Sequence, residues 1–269
     1  METDFTRPRI IYSCYTKASK EGENFIAEHV FTHITSGSLS IFDGVKEHTL
    51  KAGDFALYAK NNLAKFVKLP AADNGEFKAL SIRLDDKTLK SFSKTFSSKP
   101  VKSINIPPVV TKLLPNALYS GYATSLMSYL DENNEVNEEI WQLKVNQAVM
   151  ILLEHNPELA DILFDFTEPG KIDLQAFMNR NYQFNIDINR FAYLTGRSIS
   201  TFKRDFEKTF GTSPSRWLQQ KRLEQAYYLI SKKGKKPSDV YIEVGFENLS
   251  HFSFAFKKAY GKAPSQIAI

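Results

Sequence analysis

Cysteine is almost absent from this chain, which carries one, Cys14, in 269 residues. That excludes an internal disulfide and any zinc site built on several thiolates, and it fits a reducing compartment. In a strand-like run, a lone cysteine ordinarily serves as a small buried hydrophobe. Long apolar runs are also missing: none approaches the ~20 residues that span a bilayer. The opening METDFTRPRI lacks the apolar stretch of a secretion signal. A cytoplasmic location with no membrane contact is expected.

Charge is unevenly divided. The formal net charge is +5, yet residues 171–269 carry 17 Lys+Arg against 8 Asp+Glu, while residues 1–170 carry 18 against 22. Only the C-terminal part has the footprint of a polyanion binder. At 269 residues the chain is long enough for two domains, each with its own core.

Residues 9–84 alternate with period two between turn signals. Ile10 to Tyr12, Phe25 to Ile34, Leu39 and Ile41, Leu50, Phe55 to Tyr58, Phe66 to Leu69 and Phe77 to Leu84 read as strands. Asp43-Gly44, Gly53-Asp54 and Asn74-Gly75 supply the turns. Closely spaced strands of this kind predict a small antiparallel barrel or sandwich.

From Pro107 the period becomes helical. Val109, Leu113, Leu114, Leu118, Tyr122, Leu126 and Leu130 form one apolar stripe, interrupted at Pro115. Ile140, Leu143, Ala148, Ile151 and Leu152 form a second. Strands end before helices begin, which is the order of an α+β domain. Both stripes can pack back as core; alternatively the helix over 136–154 also pairs with its twin in a homodimer, with Trp141, Lys144 and Gln147 on its flank.

Small barrels can hold a metal through clustered histidines. His29 and His33, four apart in a strand, share a face, and His48 is a candidate third ligand. No His-x-His pair accompanies them, so ordinary structural histidines are the favoured reading and no metal, cofactor or catalytic residue is expected.

The last hundred residues repeat themselves. Ser200-x-Phe202-x-x-x-Phe206-x-Lys208-x-Phe210-Gly211-x-x-Pro214-Ser215 returns as Ser250-x-Phe252-x-x-x-Phe256-x-Lys258-x-Tyr260-Gly261-x-x-Pro264-Ser265. Each copy follows a short helical pattern ending in glycine, at Gly196 and at Gly245, so each unit reads as helix, turn, helix. Two such units in tandem make a DNA reader.

Between them, Ser213-Pro214 opens a long helix running to about Lys233, with Ser213 as N-cap and Pro214 in the first turn. Its span of about 30 Å is close to one ~34 Å DNA turn. The loop Lys232-Lys233-Gly234-Lys235-Lys236 is either phosphate-facing or simply solvated.

The second helix of each unit buries a phenylalanine stripe and exposes the other side. In the first unit that side carries Ser200, Thr201, Lys203, Arg204 and Glu207; in the second, Ser250, His251, Ser253, Phe254 and Lys257. Lys and Arg can donate to phosphates or to guanine O6 and N7, and Ser can donate or accept. Phe254 stands in register with Arg204. It can meet a thymine methyl group or tuck against its own domain, and the first helix is expected to contribute more base-edge hydrogen bonding.

These residues carry a resemblance. Val244-Gly245-Phe246-Glu247-Asn248-Leu249-Ser250-His251-Phe252-Ser253-Phe254-Ala255-Phe256-Lys257-Lys258, with Tyr260-Gly261 and Pro264-Ser265, resembles the signature region of the AraC/XylS family of bacterial transcription regulators. Ser213-Pro214-x-x-Trp217-Leu218 and Lys221-Arg222-Leu223 extend the likeness across residues 171–269. The upstream strands and helices resemble the cupin-like regulatory domains of such proteins, in particular an ExsA-like subgroup. Departures from the family pattern are Phe254, where a basic residue is usual, and Tyr241, where a small residue is usual and Ala192 stands in the first unit.

Two domains are thus expected. Residues 1–168 form a cupin-like regulatory and dimerisation domain, with its barrel at about 9–84 and helices at about 107–166. Residues 169–269 form an all-α domain of two helix-turn-helix units joined by a long helix. The resemblance implies a sequence-specific regulator of promoter DNA, an activator that engages RNA polymerase, under control of a small-molecule effector or a regulatory protein, or of neither. The rival reading is a barrel-based sensor or metal-dependent enzyme using the helical module as an adaptor.

Overall fold

The computed structural model describes residues 9–20, 24–72, 75–95, 108–130 and 138–267. The chain divides into two compact units, Met1–Thr167 and Glu168–Ile269. Asn74 of the expected Asn74-Gly75 turn, and residues 136 and 137 of the expected dimer helix, lie outside the described residues.

Among the described residues the first unit begins with nine strands: β1 Ile10–Tyr15, β2 Phe25–Ile26, β3 His29–Ser36, β4 Ser38–Phe42, β5 Glu47–Lys51, β6 Phe55–Tyr58, β7 Asn62–Leu63, β8 Lys65–Leu69 and β9 Phe77–Leu84. Helix α1 (Asp86–Thr95), strand β10 (Val110–Leu113) and helices α2 (Ala117–Met127), α3 (Glu138–His155) and α4 (Ala160–Leu163) follow. β1-β9-β3-β6-β10 form a five-stranded antiparallel sheet, β5-β4-β8 a three-stranded one, and β2-β7 a pair.

The expected barrel is therefore corrected: among the described residues the strands form separate sheets rather than one closed cylinder. Alternation explains the arrangement, because successive side chains of one strand face opposite ways. Ile34, Ala56, Tyr58, Phe77 and Ala79 of the large sheet share a core with Leu39, Ile41 and Leu50 of the small one. Phe31, Phe55, Leu57, Leu80, Ile82 and Leu84 point to the other face and pack with Leu89, Tyr119, Tyr122, Leu126, Val145, Val149 and Leu152 of the helices.

Three expectations for this unit need correcting, and the first is Cys14, which is exposed with its Sγ donating to Glu76 rather than buried as a small hydrophobe. Val109 to Leu114 is not the start of a helix, because Val110–Leu113 pairs with Phe55–Tyr58 and supplies an edge to the large sheet. Its Val-Val-Thr run is β-branched, which favours the pleat. Ile140 and Leu143 are exposed, and Val145, Ala148, Val149 and Leu152 form the buried stripe of α3 instead. On the suggested flank, Trp141 packs on the core and meets Tyr129 edge-on, Lys144 donates to Ser125 and Gln147, and Gln147 is exposed.

The three histidines are dispersed. His29 is buried with Nδ1 accepting from the Lys60 N–H, and His33 stacks on Phe55 at 4.0 Å between ring centroids. His48 lies on the small sheet, bonded to Asp43 at 2.8 Å. No group of three or more metal-ligating side chains occurs among the described residues, nor is any helix there long and apolar enough to cross a membrane.

The second unit is helical: α5 Leu174–Asn181, α6 Ile188–Leu194, α7 Ile199–Phe210, α8 Pro214–Ser231, α9 Pro237–Glu243 and α10 Leu249–Tyr260. Starts are fixed locally. Asp173, Asp187, Ser198 and Asn248 each accept a backbone N–H from the first turn of the helix they precede. Ser213 occupies the N-cap position of α8 but makes no side-chain cap bond, and Pro214 fixes that start by itself. α7 and α10 stop at Gly211 and Gly261, both left-handed.

Candidate nucleic-acid interface

Both α7 and α10 pack against α8. The anchors repeat with the sequence. Phe206 and Phe210 of α7 meet Trp217 at 5.7 and 4.7 Å, and Phe256 and Tyr260 of α10 meet Tyr227 at 6.3 and 4.7 Å. Trp217 and Tyr227 are ten residues apart on one helix, about 15 Å of axial rise. The connector thus holds the two helices by equivalent residues at a set separation; its 18 residues span about 27 Å, slightly less than the sequence implied.

The phenylalanine stripe turns each helix so that its other side faces water. Phe202 and Phe206, like Phe252 and Phe256, are fully buried. At 3.6 residues per turn, Ser200, Lys203, Arg204 and Glu207 fall on the opposite side of α7, and all four are exposed. Thr201 is half-buried, its N–H donating to Ser198 Oγ and its hydroxyl accepting from the same group at 3.0 Å, so it completes the cap rather than projecting. On α10, Ser250, His251, Phe254 and Lys257 are exposed and Ser253 is half-buried. The His251 ring stands edge-on to Phe246 at 5.6 Å.

Charge on α7 is managed by its neighbours. Arg197 donates to the Asp205 carboxylate at 3.1 Å, and this bond holds Asp205 below the usual carboxylate range. Arg204 lies 3.8 Å from the same carboxylate with 76% of its side chain exposed, so its guanidinium remains presented to solvent. The basic loop after α8 is partly committed: Lys235 pairs with Glu243 at 2.8 Å, and Lys233 lies over the Tyr228 ring at 5.9 Å.

Phe254 does not tuck against its domain; it is 70% exposed. Tyr241 is accommodated as a half-buried member of the core around Phe252 and Phe256, and its carbonyl accepts the Phe246 N–H as the Ala192 carbonyl accepts that of Arg197. The second turn is one residue longer than the first: Gly196 precedes the cap Ser198 by two positions, and Gly245 precedes Asn248 by three.

One junction escapes a reading of the sequence. Arg222 of α8 donates from Nε to the Tyr182 carbonyl and from Nη2 to that of Phe184, both at 2.8 Å. Burial lowers its pKa to about 10. Gly245, with φ 97°, lies against it; a Cβ there would come within 2.6 Å of Gln183 O and 3.0 Å of Arg222 Nε. The loop before α6 and the turn before α10 are joined at this point. The motif Lys221-Arg222-Leu223 marks the position, but only the fold gives the partners.

Comparisons with known proteins divide the chain in the same way. Residues 191–268 match the helix-turn-helix domain, and residues 29–162 match the ExsA N-terminal regulatory domain. The virulence regulon transcriptional activator VirF of Yersinia enterocolitica is 26% identical over 171 residues, covering 62% of this chain and 59% of that protein. The HTH-type transcriptional regulator ExsA of Pseudomonas aeruginosa is 26% identical over 126 residues, covering 46% and 45%. A solved structure of apo ToxT from Vibrio cholerae, in a variant with one lysine replaced by alanine, aligns over 97% of each chain with a TM-score of 0.48 at 14% identity. The matched region thus spans 59% or less of the two curated relatives.

Proposed function

This chain belongs to the AraC/XylS family of transcriptional regulators, and from that premise we propose that it is a sequence-specific activator reading two adjacent major grooves with α7 and α10. The observation that carries the reading is the duplicated frame: two helices, anchored by equivalent aromatic residues to one connector, each with a solvent-facing side that an α-helix in a groove would use. In this reading each pair, α6 with α7 and α9 with α10, is a helix-turn-helix unit. Residues 169–269 are the DNA-binding domain, and residues 1–168 the regulatory domain.

Roles follow from chemistry. Lys203 and Arg204 donate to base edges or phosphates, Ser200, Ser250 and Ser253 donate or accept, and Glu207 accepts from cytosine N4. His251 and Lys257 serve the second groove, and Thr201 supports α7 through its cap. No reaction is ascribed to the chain, no metal or cofactor is invoked, and a cytoplasmic location fits contact with promoter DNA and RNA polymerase. A homodimer through α3, and an effector or regulatory protein acting on the first unit, complete the proposal.

The test is a gel shift with the full chain on DNA fragments recovered by mapping its binding sites across its own genome, with scrambled fragments alongside. Specific binding that weakens steeply with salt is expected, because Lys and Arg displace counterions from phosphates. Equal binding to both fragments, or affinity unchanged between low and moderate salt, would overturn the reading.

A further inference from the structure

Helix α10 repeats the frame of α7 but keeps only the serine of its four exposed positions, and an aromatic ring stands at the centre of that side. Ser250, Ser253, Phe254 and Lys257 stand where Ser200, Lys203, Arg204 and Glu207 stand on α7. Phe254 has no structural work to do there: Phe252 and Phe256 fill the core, and its own ring is 70% exposed. Ser250 and Ser253 beside it are short, while His251 and Lys257 flank it one turn to either side. A phenyl group neither donates nor accepts conventional hydrogen bonds, so it cannot grip a phosphate or a guanine edge as Arg204 can.

We infer that Phe254 is a thymine reader, its ring lying against the C5 methyl group in the major groove and selecting T in the half of the site bound by α10. This rests on the DNA-binding reading above and specifies it. Among the four bases only thymine carries a methyl group into the major groove, and apolar side chains recognise it there. The two half-sites are consequently read by different chemistries, one by hydrogen bonds from Lys203 and Arg204 and the other by apolar contact. Lys257, one turn along on the same side, is placed to take a phosphate and hold the helix in register.

The full chain and its Phe254→Ala variant are each used to enrich sites from random duplexes, and every thymine of the wild-type site is then exchanged for uracil, which removes only the methyl. At one or two thymines the exchange weakens wild-type binding about fourfold, the worth of one buried methyl. Phe254→Ala binds correspondingly more weakly and no longer distinguishes thymine from uracil there, while Phe254→Arg enriches guanine in place of thymine. Unchanged circular dichroism identifies these as effects on recognition.

Specific, salt-sensitive binding by the wild type with no thymine at which the two proteins differ would overturn the inference and leave the DNA reading standing. Phe254 would then face a protein partner. Absence of any specific binding by the wild type would overturn both.

Discussion

The Arg222 Nε donates to the carbonyl oxygen of Tyr182, 40 residues earlier in the chain, at 2.8 Å. With its second bond to Phe184 O, this side chain ties the connector helix to the loop that launches α6. Replacing it by leucine would remove both charged donors, from Tyr182 O and from Phe184 O, the latter keeping the Ile186 N–H. Hydrogen bonds involving a charged group are worth about 1.5–3 kcal/mol each, so Arg222→Leu is expected to destabilise the second unit by about 3 kcal/mol. Arg222→Lys, which keeps the charge but loses the fork, recovers less than half of the loss. Urea unfolding followed by the fluorescence of Trp217, with Trp141 replaced by phenylalanine in every variant, checks this; a midpoint unmoved by Arg222→Leu would overturn the stabilising role of the junction.

The glycines of the second unit separate conformational strain from steric crowding. Gly211 and Gly245 both have positive φ, 68° and 97°, but a Cβ at Gly211 meets nothing within 4 Å, whereas one at Gly245 meets Gln183 O at 2.6 Å. Gly211→Ala should cost about 1 kcal/mol, the left-handed penalty alone. Gly245→Ala should cost clearly more and weaken DNA binding, because the turn before α10 must move to relieve the clash. Thermal melts and gel shifts on the pair test this, and equal losses would contradict it.

What can be read beforehand is whatever the chain encodes locally. Asn248, Gly211 and Gly261 mark helix ends through their own side chains or backbone freedom, and the Phe202/Phe206 and Phe252/Phe256 stripes set the exposed faces by periodicity alone. Sheet closure is a long-range property, so the strands of residues 9–84 are legible while their division into separate sheets is not. Val110–Leu113 misleads for a related reason: four residues are too few for period two to be told from a helical stripe. Helix α1 is missing from the expectations although Asp85, accepting from both the N–H and the hydroxyl of Thr88, leaves a capping signature just before Leu89 and Phe92. Ile140 and Leu143 are apolar and so read as core, but only tertiary packing decides which side of α3 turns inward.

Acid should loosen the first unit at a pH where carboxylates are still ionised. His29 is buried beside Lys60, and desolvation, then that positive charge, lower its pKa to about 4 from 6.5; Asp86 and Asp165 oppose the shift. Unfolded, the same imidazole takes a proton near its ordinary value. The stabilisation from keeping His29 neutral is therefore complete above about pH 6.5, falls as pH drops below that value, and is exhausted near pH 4, a total of roughly 3 kcal/mol. Burial lowers His33 in the same direction. His29→Asn, which keeps an acceptor for the Lys60 N–H, should flatten the decline in unfolding free energy between pH 6.5 and 5; an unaltered slope would assign it to other groups.

The exposed side of α3 offers a test of self-association. Leu143 and Met150, two turns apart, are 68% and 49% exposed, with Ile140 and Gln147 completing the same strip. If α3 pairs with its twin, Leu143→Asp with Met150→Asp places like charges at the seam and should yield a monomer by sedimentation at micromolar concentration. Folding should be little affected, since neither residue belongs to the buried stripe. A dimer that persists in the double variant would move the interface elsewhere.

The two exposed helices should respond differently to loss of their side chains. Lys203→Ala with Arg204→Ala removes two cations from α7, and if both approach phosphates the slope of log affinity against log salt should become shallower by about 1.8. If Arg204 instead reaches a guanine edge, the slope changes by about half as much, and the variant loses discrimination of roughly 1–3 kcal/mol at one base pair. Only the second result makes these two residues a source of hydrogen-bonded base readout, since phosphate contacts position the helix without reading sequence. Phe254→Ala, which removes no charge, should leave the slope unchanged while relaxing preference in the other half-site. Unchanged affinity in the α7 double variant, with binding abolished by Phe254→Ala, would reverse the assigned roles and make α10 the dominant reader.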